Sequence, residues 1–198
     1  SYFDIALRIV KSIPQLNNVF YPPGYSIFLS ILKPANNQNF FITTAILQSL
    51  FGVLSIYLLY QISLQVLKPK LSKLFLLILV FYYPFIDTTG YLLSENLAIF
   101  LIALLTWFSM KFNQTKSNNC LFLAGITVGL GSLVRANLLI IGFAILVWLI
   151  AILKLKTKPI AVFTTATLAS LLIISVVYFK LGGQHRISSL NGGFVFMA

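Results

Sequence analysis

A series of long apolar segments with no charged side chain constrains this chain more than any other feature. Residues 41–67 form the longest of them. The other five are residues 74–86, 96–110, 120–134, 138–153 and 160–179. A membrane-spanning helix needs about 20 apolar residues, and fewer where helices are short or broken. The sequence therefore predicts an all-α, polytopic transmembrane helix bundle with about six spans.

Composition excludes the soluble classes of protein. Hydrophobic residues make up 59% of the chain and charged residues only 9%, whereas a soluble domain carries about a quarter charged residues. The net charge of +11 would suit a nucleic-acid partner, but the lysines lie in short loops between apolar segments. That distribution is typical of membrane topology, so we expect membrane lipids and no nucleic acid as partners.

Lysine residues are concentrated in alternate loops. Residues 68–73, 111–119 and 154–158 contain eight Lys and no acidic residue. The intervening turns, 87–95 and 135–137, contain Asp87, Glu95 and Arg135. Because cytoplasmic loops of membrane proteins are enriched in Lys and Arg, the pattern predicts a multi-pass protein of the inner or plasma membrane. Its lysine loops face the cytoplasm and its acidic turns face outward.

Only three acidic residues, Asp4, Asp87 and Glu95, stand against 14 Lys and Arg, and the topology places all three on the outer face. An ionisable group beside hydrocarbon costs several kcal/mol unless it is paired, hydrated or functional. The distribution therefore favours a polar site on that face. Simpler interpretations stay open. Ser94 is a potential N-cap, and the carboxylate of Glu95 after it would suit a helix N-terminus. Arg135 can simply extend its side chain to the membrane interface.

Residues 1–40 are predicted to form an outer loop with short surface helices. Residues 2–10 are apolar apart from Asp4 and Arg8, which are four residues apart, as on one face of a helix. The segment 21–25, Tyr-Pro-Pro-Gly-Tyr, predicts a stiff turn. We expect a single membrane domain over 1–198: an outer loop at 1–40, the helix bundle at 41–179 and the start of an outer segment at 180–198. The ends favour an internal fragment truncated on both sides, which we expect to be inactive alone.

Several motifs occur in an order that resembles one enzyme group. They are Tyr2-Phe3-Asp4-Ile5-Ala6, Tyr21-Pro22-Pro23-Gly24-Tyr25, Ser94-Glu95-Asn96-Leu97, the Gly-rich segment 125–130 leading to Arg135-Ala136-Asn137, and Ser189-Leu190-Asn191-Gly192-Gly193. In this order they resemble the GT-C-fold glycosyltransferases of the protein mannosyltransferase and aminoarabinose transferase type, glycosyltransferase families 39 and 83.

The resemblance implies transfer of a sugar from a polyprenyl-phosphate carrier to a lipid, glycan or protein acceptor on the outer face. It implies catalytic roles for Asp4 and Glu95, and binding of the donor or its lipid phosphate by Arg135, Tyr21 and Tyr25. In this group the catalytic Asp usually stands a few residues before the Tyr of the first outer loop, a position that would precede Ser1. No cofactor or metal site is indicated, although a divalent metal stays possible.

A transporter or permease is the alternative interpretation, from a different class. Transporters place polar and ionisable groups near the middle of the bilayer, whereas Asp87, Glu95 and Arg135 fall at helix ends in the predicted topology. Among the polar residues within a span, Gln48, Gln61 and Gln65 stand out. The sequence carries no Gly-rich phosphate loop, which favours a lipid-linked donor over a nucleotide sugar.

Overall fold

The structure is a computed structural model that describes residues 2–11, 22–32, 38–151 and 157–182, with side chains up to residue 176. Within these ranges every regular element is a helix, which confirms the all-α prediction. The helices are α1 (Tyr2–Val10), α2 (Gly24–Ile31), α3 (Gln38–Val66), α4 (Pro69–Val80), α5 (Tyr83–Asp87) with a 3₁₀ turn at Thr88–Gly90, α6 (Glu95–Thr115), α7 (Asn118–Val134), α8 (Leu138–Ala151) and α9 (Thr157–Gly182).

Helix length separates the six predicted spans into three groups. Three helical segments, in α3, α6 and α9, are long and apolar enough to cross a membrane. The α4–α5 pair counts as a fourth span if its bent halves are taken together. Helices α7 and α8, with 17 and 14 residues, are apolar but shorter. Length therefore supports three or four of the six predicted spans in the part of the chain that the structure describes.

The break between α4 and α5 follows from Pro84. A proline has no N–H to donate to the carbonyl four residues earlier, and its ring clashes with that carbonyl, which here belongs to Val80, the last residue of α4. The chain leaves the helix at Phe81, and Tyr82 has an extended backbone with φ −73° and ψ 101°. Pro84 then lies in the first turn of α5, where a proline is tolerated, and the two halves meet at an angle of 47°.

Successive long helices run in opposite directions. As a result α3 is parallel to α6, and α7 is parallel to α9, and these two pairs form the centre of the bundle. Phe51 of α3 packs on Phe100 of α6 with ring centroids 5.3 Å apart. Gly125 of α7 faces Phe163 of α9, and Gly129 faces Ser170 of the same helix. The main apolar cluster joins the side chains of α6, α7, α8 and α9.

This alternation gives the bundle two chemically different ends. The carboxylate end contains α1, α2, the turn Thr88–Gly90, the start of α6 and the end of α7. The lysine end contains the opposite helix ends, with Lys68, Lys70, Lys73, Lys111, Lys116 and Lys158. Large apolar side chains between the two ends are exposed, among them Phe143 and Leu172. Exposure of this kind requires a hydrocarbon surrounding, so the protein is an integral membrane protein.

Close packing of α7 on α9 depends on glycine. A Cβ atom at Gly125 would lie 2.7 Å from the Phe163 carbonyl oxygen and 3.0 Å from the Thr167 amide nitrogen, both backbone atoms. We expect Gly125→Ala to push the helices apart at a cost of about 1–3 kcal/mol, seen as a lower Tm of the detergent-solubilised protein.

Gly52→Ala is the matched control for this effect. No heavy atom would lie within 4 Å of a Cβ atom at Gly52, so the higher helix propensity of alanine, about 1 kcal/mol, should raise the Tm. The packing argument is wrong if the Gly125 variant proves as stable as the Gly52 variant.

Candidate active site

Glu95 is the first residue of α6 and lies at the carboxylate end. Ser94 before it occupies the N-cap position, but its side chain makes no capping hydrogen bond, contrary to the expected N-cap role. The backbone explains the difference: Ser94 has φ −77° and ψ −5°, which is helical rather than the extended geometry typical of a capping residue. Its Oγ lies instead 3.5 Å from the Tyr2 hydroxyl oxygen. This contact joins α1 to the start of α6.

Arg135 is presented by the short link between α7 and α8. Its extended backbone, with φ −149° and ψ 125°, ends α7, and its N–H donates to the Gly131 carbonyl at 2.8 Å. The Leu138 N–H then donates to the Arg135 carbonyl at 3.1 Å as α8 begins. The guanidinium group is therefore placed at the mouth of the bundle by a helix end and not by a long loop.

Glu95 and Arg135 form an ion pair. Arg135 Nη1 lies 3.4 Å from Glu95 Oε1, and the two side chains are 45% and 32% exposed. Glu95 Oε2 is buried and has no hydrogen-bond partner among the described residues. One carboxylate oxygen is thus held by the cation while the other remains able to accept a proton or a hydrogen bond. The sequence predicted these residues on the same face, and the structure brings them into contact.

The Pro-Pro-Gly turn packs directly against the segment that carries Arg135. A Cβ atom at Gly24 would lie 2.6 Å from the Leu133 carbonyl carbon and 2.8 Å from the Val134 nitrogen. Such a close backbone approach is possible only for glycine. Pro22 and Pro23 are buried beside it. The first-loop turn therefore determines the position of α2 relative to the end of α7.

Tyr25 follows this turn and is fully buried. Its ring packs edge-on against Tyr2, with centroids 5.2 Å apart, and in a tilted arrangement against Phe28, with centroids 5.9 Å apart. Gln48 of α3 donates a hydrogen bond from Nε2 to the Tyr25 hydroxyl and another to the Leu93 carbonyl at 3.3 Å. Tyr25 thus joins α1, α2 and α3 beneath the ion pair. It does not offer an open aromatic face to a ligand.

Electrostatics keep Tyr25 neutral. Burial raises the pKa of the Tyr25 phenol far above its usual value, the hydrogen bond from Gln48 opposes this, and the nearby negative charge of Glu95 raises the pKa further. The phenol therefore keeps its proton over the whole physiological range and serves as a hydrogen-bonding group rather than as a base.

Among the remaining predicted residues, Asp4 and Asp87 lie at or near this end. Asp4 is exposed on α1, two residues after Tyr2. Asp87 is exposed as well and accepts a hydrogen bond from the Tyr83 hydroxyl at 3.1 Å. Tyr21 and the segment 183–198, with its Ser-Leu-Asn-Gly-Gly motif, lie outside the described residues. The roles predicted for Asp4, Glu95, Arg135 and Tyr25 stay predictions.

Two polar residues that are buried beside the site were not predicted to belong to it. Gln48 and Asn96 are each 1% exposed. Asn96 Oδ1 accepts a hydrogen bond from Thr88 Oγ1 at 2.9 Å, which ties the Thr88–Gly90 turn to α6. A signal existed for Gln48, since a glutamine inside an apolar span needs a partner. Asn96 carries no comparable signal, because it lies at the start of a helix, directly after Glu95.

Metal ligands are sparse here. Across residues 2–11, 22–32, 38–151 and 157–176, no three side chains from His, Cys, Asp and Glu are grouped closely enough to hold a metal ion. The polar groups of this site are instead a carboxylate, a guanidinium and buried hydrogen-bonding side chains.

A helix bundle with exposed apolar flanks and a carboxylate–guanidinium pair at one end defines a polytopic membrane protein with a polar site at the membrane surface. The model of the dolichyl-phosphate-mannose-protein mannosyltransferase family matches residues 22–179, and the chain belongs to this family. It is therefore a membrane glycosyltransferase of the mannosyltransferase type, which confirms the family suggested by the sequence motifs. Comparison with curated proteins gave no match, and neither did comparison with solved structures.

Proposed function

We propose that this protein transfers a sugar from a polyprenyl-phosphate carrier to an acceptor hydroxyl at the carboxylate end of the bundle. The observation that carries the proposal is the half-exposed Glu95–Arg135 pair at the end of two membrane helices. A lipid-linked donor keeps its phosphate at the membrane surface, where this pair lies. The family description, which refers to dolichyl-phosphate mannose, supports the same donor class and a protein acceptor.

Each member of the pair has a natural role in this transfer. The acceptor oxygen forms a bond to the sugar's anomeric carbon while the bond from that carbon to the phosphate oxygen breaks. The electron pair leaves with the phosphate, whose growing charge Arg135 neutralises with its planar donor groups. The acceptor proton passes to a carboxylate, for which Glu95 is the leading candidate and Asp4 the second.

An apolar cavity in the half of the bundle toward the carboxylate end suits the isoprenoid chain of the donor. Its volume is about 340 Å³, and it lies between α3 and the bent α4–α5 pair, with Ser49, Gly52, Val53, Ile56 and Phe85 in its lining. Ser49 follows Gln48, and Thr89, which also lines the cavity, follows Thr88. An apolar cavity that adjoins polar site residues is the arrangement that a lipid with a charged head group requires.

The proposal predicts which donor is used and where the product forms. Sealed right-side-out vesicles containing the protein should incorporate radiolabel from dolichyl-phosphate mannose and none from a nucleotide-linked mannose. Separation of protein, glycan and lipid fractions identifies the acceptor class, and we expect the label in protein. An impermeant protease added outside should release that label, because the carboxylate end faces outward.

Three outcomes contradict this proposal. Label taken from the nucleotide sugar alone would exclude the lipid-linked donor. Labelled product that the protease cannot reach in intact vesicles, but reaches after detergent is added, would place the carboxylate end on the inner face. Uptake of free sugar into the vesicles without any covalent product would favour the transporter alternative.

A further inference from the structure

The buried amide of Gln48 connects three segments that build the site. Gln48 lies in the first half of α3, a helix long and apolar enough to span the membrane, and is 1% exposed. Burial of an amide in an apolar surrounding costs free energy unless hydrogen bonds replace the lost water. Gln48 makes such bonds to α2, through Tyr25, and to the segment before α6, through Leu93.

The direction of these hydrogen bonds follows from the Leu93 carbonyl. A carbonyl oxygen only accepts, so the amide group of Gln48 must present its nitrogen to Leu93. The same nitrogen donates to Tyr25, and the phenol oxygen therefore acts as the acceptor. The carbonyl oxygen Oε1 of the same side chain is buried and has no hydrogen-bond partner among the described residues.

Glu95 is the charged group that this arrangement supports. Leu93 stands two residues before Glu95, so the bond from Gln48 fixes the backbone that leads into the start of α6. Oε2 of Glu95 is buried without a hydrogen-bond partner within the described ranges. Ser94, the residue before Glu95, has its Oγ 3.5 Å from the hydroxyl of Tyr2, whose ring packs on Tyr25. Tyr25 is fully buried, so it can act on a substrate only indirectly.

We propose that Gln48 and Tyr25 are positioning residues for Glu95: the Gln48 amide joins the Tyr25 hydroxyl to the Leu93 carbonyl and so fixes the backbone that presents the Glu95 carboxylate. The inference rests on the proposed function. A guanidinium group that binds a phosphate through two N–H groups gives up part of its contact with the carboxylate. The backbone fixed by Gln48 and Tyr25 then keeps the carboxylate oriented toward the acceptor hydroxyl.

The test compares Tyr25→Phe, Gln48→Leu and the double variant in purified protein with dolichyl-phosphate mannose as donor. Loss of the hydrogen bonds that fix the backbone before Glu95 should lower kcat about tenfold, while the donor KM should stay within about twofold, because Arg135 holds the phosphate. The double variant should lose no more activity than either single variant, since both act on the same carboxylate.

Gln61→Leu is the matched control, because it removes the same side chain from the same helix nearer the lysine end. It should leave kcat unchanged, and the Tm of every variant should be measured. If Gln48→Leu does not fold, Tyr25→Phe, which removes a single oxygen atom, carries the test alone. Unchanged kcat in Tyr25→Phe, a rise in KM without a fall in kcat, or additive losses in the double variant would overturn the proposal.

The same assay separates failure of this inference from failure of the proposed function. If Glu95→Gln and Arg135→Ala retain full transfer, the proposed site is wrong and the positioning roles fall with it. If those two variants lose transfer while Tyr25→Phe and Gln48→Leu behave like Gln61→Leu, only the positioning roles are wrong.

Discussion

Arg135→Ala should lower kcat/KM for the lipid-phosphate donor by about 10²–10³-fold, the usual effect of removing a group that stabilises charge in the transition state. Arg135 is placed for this role by the end of α7 and is the cation in contact with Glu95. Its planar guanidinium can bond two phosphate oxygens at once, whereas an ammonium group acts as a point charge. Arg135→Lys should therefore recover only part of the loss. Steady-state kinetics with the donor varied gives these values.

Lys11→Ala controls for the loss of one positive charge, because Lys11 is exposed and follows α1 at the same end of the bundle. Its kinetics should match those of the unmodified protein. If Arg135 only extends to the membrane interface, Arg135→Ala would behave like Lys11→Ala. A loss that appears only as a lower Tm would likewise show that the ion pair serves stability alone, a contribution of about 0–1 kcal/mol for exposed pairs.

The helix bundle could be predicted from the sequence because its cause is local. Each apolar segment must form its own backbone hydrogen bonds in a lipid surrounding, and a helix achieves this within one segment. The α4–α5 bend is also local, since Pro84 prevents α4 from continuing past Val80, four residues before it. The expected side-chain cap of α6 was wrong for a non-local reason, because Ser94 Oγ lies beside the hydroxyl of Tyr2, 92 residues away in the chain.

The site was only partly predictable. Glu95 and Arg135 stood out because charged residues are rare in this chain and fall at the ends of apolar segments. Their contact depends on helix topology, which the order of segments already implied. The support by Gln48 and the approach of Gly24 to Leu133 depend on how helices pack. Gln48 and Tyr25 are 23 residues apart in the chain, and Gly24 and Leu133 are 109 residues apart. Contacts over such distances leave no pattern in a single sequence.

Glu95→Gln should lower kcat by about 10²–10⁴-fold if its carboxylate takes the acceptor proton, since this is the range of general-base contributions. The amide has the same shape, and its oxygen can still face Arg135, so the protein should insert and fold. The donor KM should change less than kcat, because the phosphate is held by the guanidinium. The measurement is again kcat and donor KM in purified protein, with the Tm recorded for each variant.

Two further carboxylates at the same end make this prediction specific. Asp87→Asn removes an exposed acid that contacts Tyr83 and should leave kcat unchanged. Asp4→Asn tests the second candidate base directly. If Glu95 only stabilises the positive N-terminal end of the α6 helix dipole, its replacement costs about 0.3–1 kcal/mol of stability and no activity. A full loss of kcat in Asp4→Asn together with normal kcat in Glu95→Gln would transfer the role of base to Asp4. Arg135 would then remain the phosphate ligand with a different carboxylate beside the acceptor, because its position depends on α7 and not on Glu95.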